Sequence, residues 1–114
     1  MDQLFESLSR SKFRSSFKLR NAEVLYFRTK GIDLILSHGE DFIRTRLAPG
    51  FIANDGKQTP YHGHPFFVAQ HATACCCRSC LQKWHSIPIG HQLSKSETAY
   101  IISVVKRWLL TQLS

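Results

Sequence analysis

The sequence lacks a long apolar run and a basic, hydrophobic leader. Of its 114 residues, 43% are hydrophobic and 20% are charged, which is ordinary for one globular domain. The first six residues include the acids Asp2 and Glu6. No apolar run approaches the roughly 20 residues that a membrane-spanning helix needs. We therefore expect a cytoplasmic protein that is neither exported nor inserted into a membrane.

Acidic residues are scarce. Eight Asp and Glu stand against fifteen Lys and Arg, giving a formal net charge of +7. Between Phe42 and Ser96 the only acid is Asp55, which disfavours enzymes whose chemistry needs paired carboxylates. The positive excess favours polyanionic partners, because it attracts them at a distance.

Cysteine is absent outside one short segment. All four cysteines lie between Cys75 and Cys80, too close together to form good structural disulfides, which require a defined span between their Cα atoms. This usage favours a reducing compartment.

The apolar pattern predicts a mainly α fold with a minor α+β character: a compact helical domain with a short strand or hairpin. Leu4, Phe5 and Leu8 recur at helical spacing after Asp2, a good N-cap. Further helices are predicted from Asn21 to a stop at Gly31, from Ile32 to Leu47, and after the capping box Ser94–Glu97. We expect one domain, 1–114, with a basic helical hairpin (1–47), a middle part (48–93) and a C-terminal helix (94–114).

The middle part is predicted to be a loop, a short strand and a cysteine–histidine cluster. Asn54-Asp55-Gly56 is a strong turn signal, and Pro60 and Pro65 disfavour a helix around them. The apolar residues 66–69 suit a short buried strand, and residues 74–84 can form one or more helical turns.

The cluster supplies thiols and imidazoles, the donors that zinc prefers. The candidate ligands are His71, Cys76, Cys77, Cys80 and His85. Zinc is the expected ion, and an iron–sulfur cluster is disfavoured because adjacent cysteines cannot easily serve separate corners of one cluster.

Two ligand sets remain open. Cys77 and Cys80 have metal-binding spacing, with His85 following, whereas a continuous helix would favour Cys76 and Cys80 with His71. Two other interpretations of the cysteines compete with metal binding. The cysteines can be small buried hydrophobes, or one can be a reactive thiol activated by Arg78 or an imidazole.

A basic segment near the start of the chain is interleaved with Phe13, Phe17 and Leu19. The candidate nucleic-acid contacts are Arg10, Lys12, Arg14, Lys18 and Arg20, with Arg44, Arg46 and Arg78 as further candidates. A phosphate-binding strip and a solvated face beside core aromatics explain the pattern equally well.

Six short runs punctuate the chain: SKFR at 11–14, RLAP at 46–49, NDGKQTP at 54–60, GHP at 63–65, AQHAT at 69–73 and CCRSCLQKWH at 76–85. They resemble a family of small bacterial and phage proteins described as a domain of unknown function. The resemblance implies no particular activity, but it marks His64, His71, Cys76, Cys77, Cys80, Trp84 and His85 as matching residues. Cys75 departs from the family pattern. Asp55, Lys57, Gln58 and Thr59 also match, on a predicted loop.

Three functional hypotheses follow. The leading one is a metal-stabilised basic domain that binds nucleic acid. The second is a metal-dependent hydrolase or nuclease using His64, His71 and Asp55, with His64 or Asp55 as the candidate catalytic group. The third is a regulator that binds a protein partner, whose identity the sequence does not indicate.

Overall fold

The computed structural model describes residues 1–113, and within this range the chain forms seven α-helices and no strand. The helices are α1 (Asp2–Arg10), α2 (Lys12–Ser15), α3 (Asn21–Lys30), α4 (Ile32–Arg46), α5 (Pro65–Ala72), α6 (Arg78–His85) and α7 (Lys95–Thr111). The radius of gyration is 13.2 Å, close to the roughly 13 Å expected of a compact chain of this length. No helix in this range is both long and apolar enough to cross a bilayer.

The helices with clear end signals begin and end close to the predicted residues. α3 ends at Gly31, whose φ of +83° is a conformation that favours glycine. α7 begins with the predicted capping box, in which the Ser94 hydroxyl accepts from the Glu97 N–H and a Glu97 carboxylate oxygen accepts from the Ser94 N–H.

The predicted strand at residues 66–69 is wrong, because these residues belong to α5. His64 is the N-cap of this helix, and its Nδ1 accepts a hydrogen bond of 3.0 Å from the Phe66 N–H. Pro65 takes the first helical position, where a missing N–H costs nothing. All eight residues of α5 are buried, so the helix has no polar face to give its sequence a helical period.

α4 and α5 cross closely at a glycine. A Cβ atom built on Gly39 would lie only 2.0 Å from Cε1 of Phe66, which is fully buried. The core around this crossing takes further side chains from α4 and others from α3, α6 and α7: Phe27, Ile35, Ile43, Leu81, Ile101, Val105 and Leu109. Only a glycine at position 39 allows α4 and α5 to approach each other this closely.

Arg78 is a buried structural residue and not a surface cation. Its guanidinium donates hydrogen bonds of 2.9 to 3.3 Å to five backbone carbonyls, those of Leu47, Ala48, Pro49, Pro88 and His91. These bonds tie the segments after α4 and after α6 to the first residue of α6. With 3% exposure, Arg78 is unsuited to the predicted nucleic-acid contact.

Candidate metal centre

Three cysteine sulfurs come together at the start of α6. The Sγ atoms of Cys76, Cys77 and Cys80 all lie within 4.8 Å of one another. The distance is 3.7 Å between Cys76 and Cys80 and 2.9 Å between Cys77 and Cys80. Cys76 and Cys77 are buried, and Cys80 is partly exposed.

The first turn of α6 creates this arrangement. Cys77 is the N-cap, with extended backbone angles, and its sulfur accepts from the Cys80 N–H at 3.4 Å. The turn therefore brings Cys80 back beside Cys77. Cys76 precedes the cap, so the cysteines do not share the face of one continuous helix. The Cys76 carbonyl accepts a hydrogen bond of 2.8 Å from the Thr59 hydroxyl.

Asp55 supports the same turn from the loop before α5. Its two carboxylate oxygens accept from the N–H groups of Arg78 and Ser79, at 2.8 and 2.9 Å. Burial opposes ionisation, but hydrogen bonds from Gln58 and these two amides outweigh it and lower the pKa of Asp55. The carboxylate therefore satisfies free amides at the helix start, and both of its oxygens are engaged.

Arg14 brings a positive charge to the sulfurs. Its guanidinium donates to Cys80 Sγ at 3.2 Å, to Cys76 Sγ at 3.5 Å and to the His71 carbonyl at 2.8 Å. Burial lowers the pKa of Arg14, but hydrogen bonds and attraction to the two cysteines raise it overall. Arg14 is 9% exposed, so it faces the cysteine cluster and not the expected phosphate strip.

Hydrogen bonds among the three sulfurs shift the pKa values of the thiols. Hydrogen bonds from Cys76 and Cys80 hold the pKa of Cys77 well below its usual range. The pKa of Cys76 is raised, chiefly by its hydrogen bonds to Cys77 and Cys80. Cys75 lies outside the group, and burial raises its pKa to about 12. The cluster thus favours a thiolate, the form that binds metals, while Cys75 stays a neutral buried thiol.

The two histidines predicted as ligands lie outside the three-sulfur group. His71 Nε2 is 2.9 Å from the Thr59 carbonyl, and its ring stacks on Tyr61 with centroids 4.2 Å apart. His85 Nε2 is 2.8 Å from the Thr73 carbonyl, and its Nδ1 is 2.8 Å from the Tyr100 hydroxyl. Burial lowers the pKa of both histidines, so both imidazoles are held neutral.

His64 is also engaged by structural contacts. Its Nδ1 caps α5, and its Nε2 lies 3.1 Å from His38 Nδ1. Both ring nitrogens of His64 and both carboxylate oxygens of Asp55 already have hydrogen-bond partners, which disfavours either residue as a general base.

The remaining cations of the predicted nucleic-acid surface are exposed. They are Arg10, Lys12, Lys18, Arg20, Arg44 and Arg46. Arg10 pairs with Glu6 at 3.3 Å and Arg44 with Asp41 at 3.0 Å, while Arg46 lies over the Phe42 and Phe67 rings. Within residues 1–113, Lys12, Lys18 and Arg20 form no ion pair.

The fold and the site define a class of protein: an all-helical domain in which a buried arginine lies beside three clustered cysteines. The chain belongs to the family described as "Domain of unknown function (DUF4186)", whose match covers residues 2–110 and therefore includes the whole cluster. No solved structure is significantly similar to the chain.

Proposed function

We propose that Cys76, Cys77 and Cys80 bind one zinc ion that stabilises the domain. The observation that carries this proposal is the convergence of three sulfurs within 4.8 Å. Two thiolates on a tetrahedral zinc ion lie about 3.8 Å apart, given Zn–S distances of about 2.3 Å. The 3.7 Å between Cys76 and Cys80 already matches this value, and the shorter distance from Cys77 to Cys80 requires only a small side-chain rotation.

Charge balance supports a divalent ion. Three thiolates and a divalent cation leave one negative charge, which the Arg14 guanidinium beside Cys76 and Cys80 neutralises. N–H donors around metal-bound ligands commonly fix their orientation. The fourth position of the ion takes a further donor, for which His71 is the better candidate of the two predicted histidines. Its hydrogen bond to the Thr59 carbonyl engages only Nε2, whereas both ring nitrogens of His85 already have partners. An iron–sulfur cluster is the weaker proposal, because Cys76 and Cys77 are adjacent.

The test is metal content, measured by native mass spectrometry and elemental analysis on untagged protein. We expect one zinc ion per chain, and a thiolate absorption band when cobalt(II) replaces it. Cys80→Ser should lose the ion and melt at a lower temperature, whereas Cys75→Ser should keep it. An apo mass alone, or equal small melting shifts for both variants, would mean that the cysteines are core residues.

We further propose that the metal-stabilised domain binds nucleic acid through its exposed cations at 10–20. Lys12, Lys18 and Arg20 support this proposal, because these exposed charges have no acidic partner within residues 1–113. Each neutralised phosphate releases counterions, so affinity should fall steeply with salt.

The matched variants are Lys12→Gln/Lys18→Gln and the control Lys83→Gln/Lys95→Gln, which removes the same charge from exposed lysines of α6 and α7. Affinity for labelled oligonucleotides, titrated from low to physiological salt, should fall for the first pair only and with a shallower salt slope. Absence of binding at low salt would remove this function.

A further inference from the structure

We propose that the exposed rings of Phe13 and Tyr61 stack with the bases of single-stranded nucleic acid, while Lys12 and Lys18 contact its phosphates. This inference rests on the proposed nucleic-acid binding and narrows it to one class of strand. Phe13 is 53% and Tyr61 55% exposed. Rings of this size normally bury most of their surface, so their exposure beside cations favours a binding role.

The two rings belong to one aromatic cluster. Phe17 joins them: its centroid lies 5.1 Å from that of Phe13, edge to face, and 6.1 Å from that of Tyr61, with the ring planes only 4° apart. Arg14 lies 5.0 Å from the Phe13 centroid. Phe17 therefore joins Phe13 and Tyr61 in one cluster, so neighbouring bases of one strand can use both exposed rings.

The cluster is held in place before any ligand arrives. Tyr61 stacks on His71, with centroids 4.2 Å apart and planes within 18°. His71 is fixed by the Thr59 carbonyl, and Thr59 in turn donates to the Cys76 carbonyl. A ring that is already oriented loses little conformational entropy when a base stacks on it. Because Tyr61 is linked through His71 and Thr59 to Cys76, the cysteine cluster helps to order this aromatic surface.

Cations and rings alternate along the chain in the way that a single strand alternates phosphates and bases. Lys12 precedes Phe13, and Lys18 follows Phe17; both lysines are exposed. In a duplex the faces of the bases are covered by their neighbours, so only the phosphates would contact this surface. A single strand offers both, and stacking tolerates any base sequence because every base has a π-face.

The test compares a labelled 12-nucleotide single strand, oligo(dT) or oligo(rU), with a duplex of equal length by fluorescence anisotropy at low and physiological salt. Tyr61→Leu and Phe13→Ala should weaken single-strand binding about 5- to 150-fold each, the range reported for loss of one stacked base, and leave duplex binding unchanged. Tyr61→Phe should retain the affinity. Phe51→Ala, at a ring that is 86% exposed, is the matched control and should have no effect.

Circular dichroism and metal content of each variant establish that the fold is intact. Equal affinity for single strand and duplex, lost on neutralising Lys12 and Lys18 but unchanged in the aromatic variants, would overturn stacking and leave nucleic-acid binding standing. Absence of binding to either form at low salt would overturn both proposals.

Discussion

Arg14 lies in a basic segment of the sequence, yet it is the cation of this segment that the fold buries. Burying a guanidinium is costly unless negative charge and hydrogen-bond acceptors compensate. Cys76, Cys80 and the His71 carbonyl supply them, from 57 to 66 residues away in sequence. Local sequence carries no signal for such a distant partner, so Arg14 could not be told apart from Arg10 or Lys18.

Arg14→Ala should weaken zinc binding by about 10- to 100-fold, the usual effect of losing a hydrogen-bond partner of a metal ligand. Arg14→Lys should recover only part of the affinity, because an ammonium keeps the charge but lacks the planar fork that spans two sulfurs. Competition with a chromophoric zinc chelator measures both. Arg10→Ala is the control, and equal zinc affinity for all three variants would show that Arg14 does not act on the ligands.

His64 makes stability depend on pH. Burial and the nearby His38 lower the pKa of His64 from 6.5 to about 4, and Glu23 only partly opposes this. Between pH 6.5 and 4 the unfolded chain therefore binds a proton at His64 that the folded chain does not. The free energy of unfolding is highest above pH 6.5 and decreases as the pH falls toward 4. Between pH 7.5 and 5 the loss amounts to about 2 kcal/mol.

Urea unfolding of chelator-treated protein at both pH values measures this effect without competition between protons and metal. His64→Asn keeps a side-chain cap on α5 but cannot titrate, so its free energy of unfolding should change less over the same range by about 2 kcal/mol. An identical pH response of variant and wild type would place the proton uptake elsewhere, for example at His71 or His85, whose pKa values burial also lowers.

At the scale of elements, the sequence predicts helices that have local start or stop signals. Gly31 and the Ser94–Glu97 box are such signals, and α3, α4 and α7 lie where they indicate. α5 has a cap and a first-turn proline too, but its buried apolar run fits a strand equally well. The cysteine cluster was predictable from composition, whereas its support by Asp55 depends on a contact across 23 residues.

At the crossing of α4 and α5, adding one methyl group at residue 39 should destabilise the protein. Gly39→Ala places a Cβ atom 2.0 Å from the buried Phe66 ring, and overpacking of this kind costs about 1–3 kcal/mol. Alanine's better helix propensity offsets up to about 1 kcal/mol of this loss. Thermal and urea unfolding should show net destabilisation.

The control for this crossing is Ser37→Ala, at an exposed position on α4, which should change stability little. Adding Phe66→Leu to Gly39→Ala should cost less than the two single changes together, because the smaller side chain makes room for the new methyl group. Additive costs would mean that Gly39 and Phe66 are not in conflict.

For the whole molecule, the hydrophobic core and the proposed ion contribute separately to stability. Since the core joins side chains from five helices, chelation should lower the melting temperature without abolishing helical circular dichroism. Each tenfold excess of free zinc over its Kd adds about 1.4 kcal/mol, or roughly 6 °C in melting temperature for a chain of this length. Cys80→Ser should melt at the same temperature with and without chelator. A wild type equally indifferent to chelator would contradict the zinc proposal.

Arg78 follows Cys77 directly, and its guanidinium joins five carbonyls in segments that flank α4 and α7. Any loosening of the first turn of α6 therefore releases peptide bonds far along the chain, around Pro49 and Pro88. Limited digestion makes this visible: loss of the ion should expose two new cleavage regions at once, at 47–52 and at 88–92. Zinc binding by the three-cysteine cluster would in that way set the resistance of the protein to proteolysis.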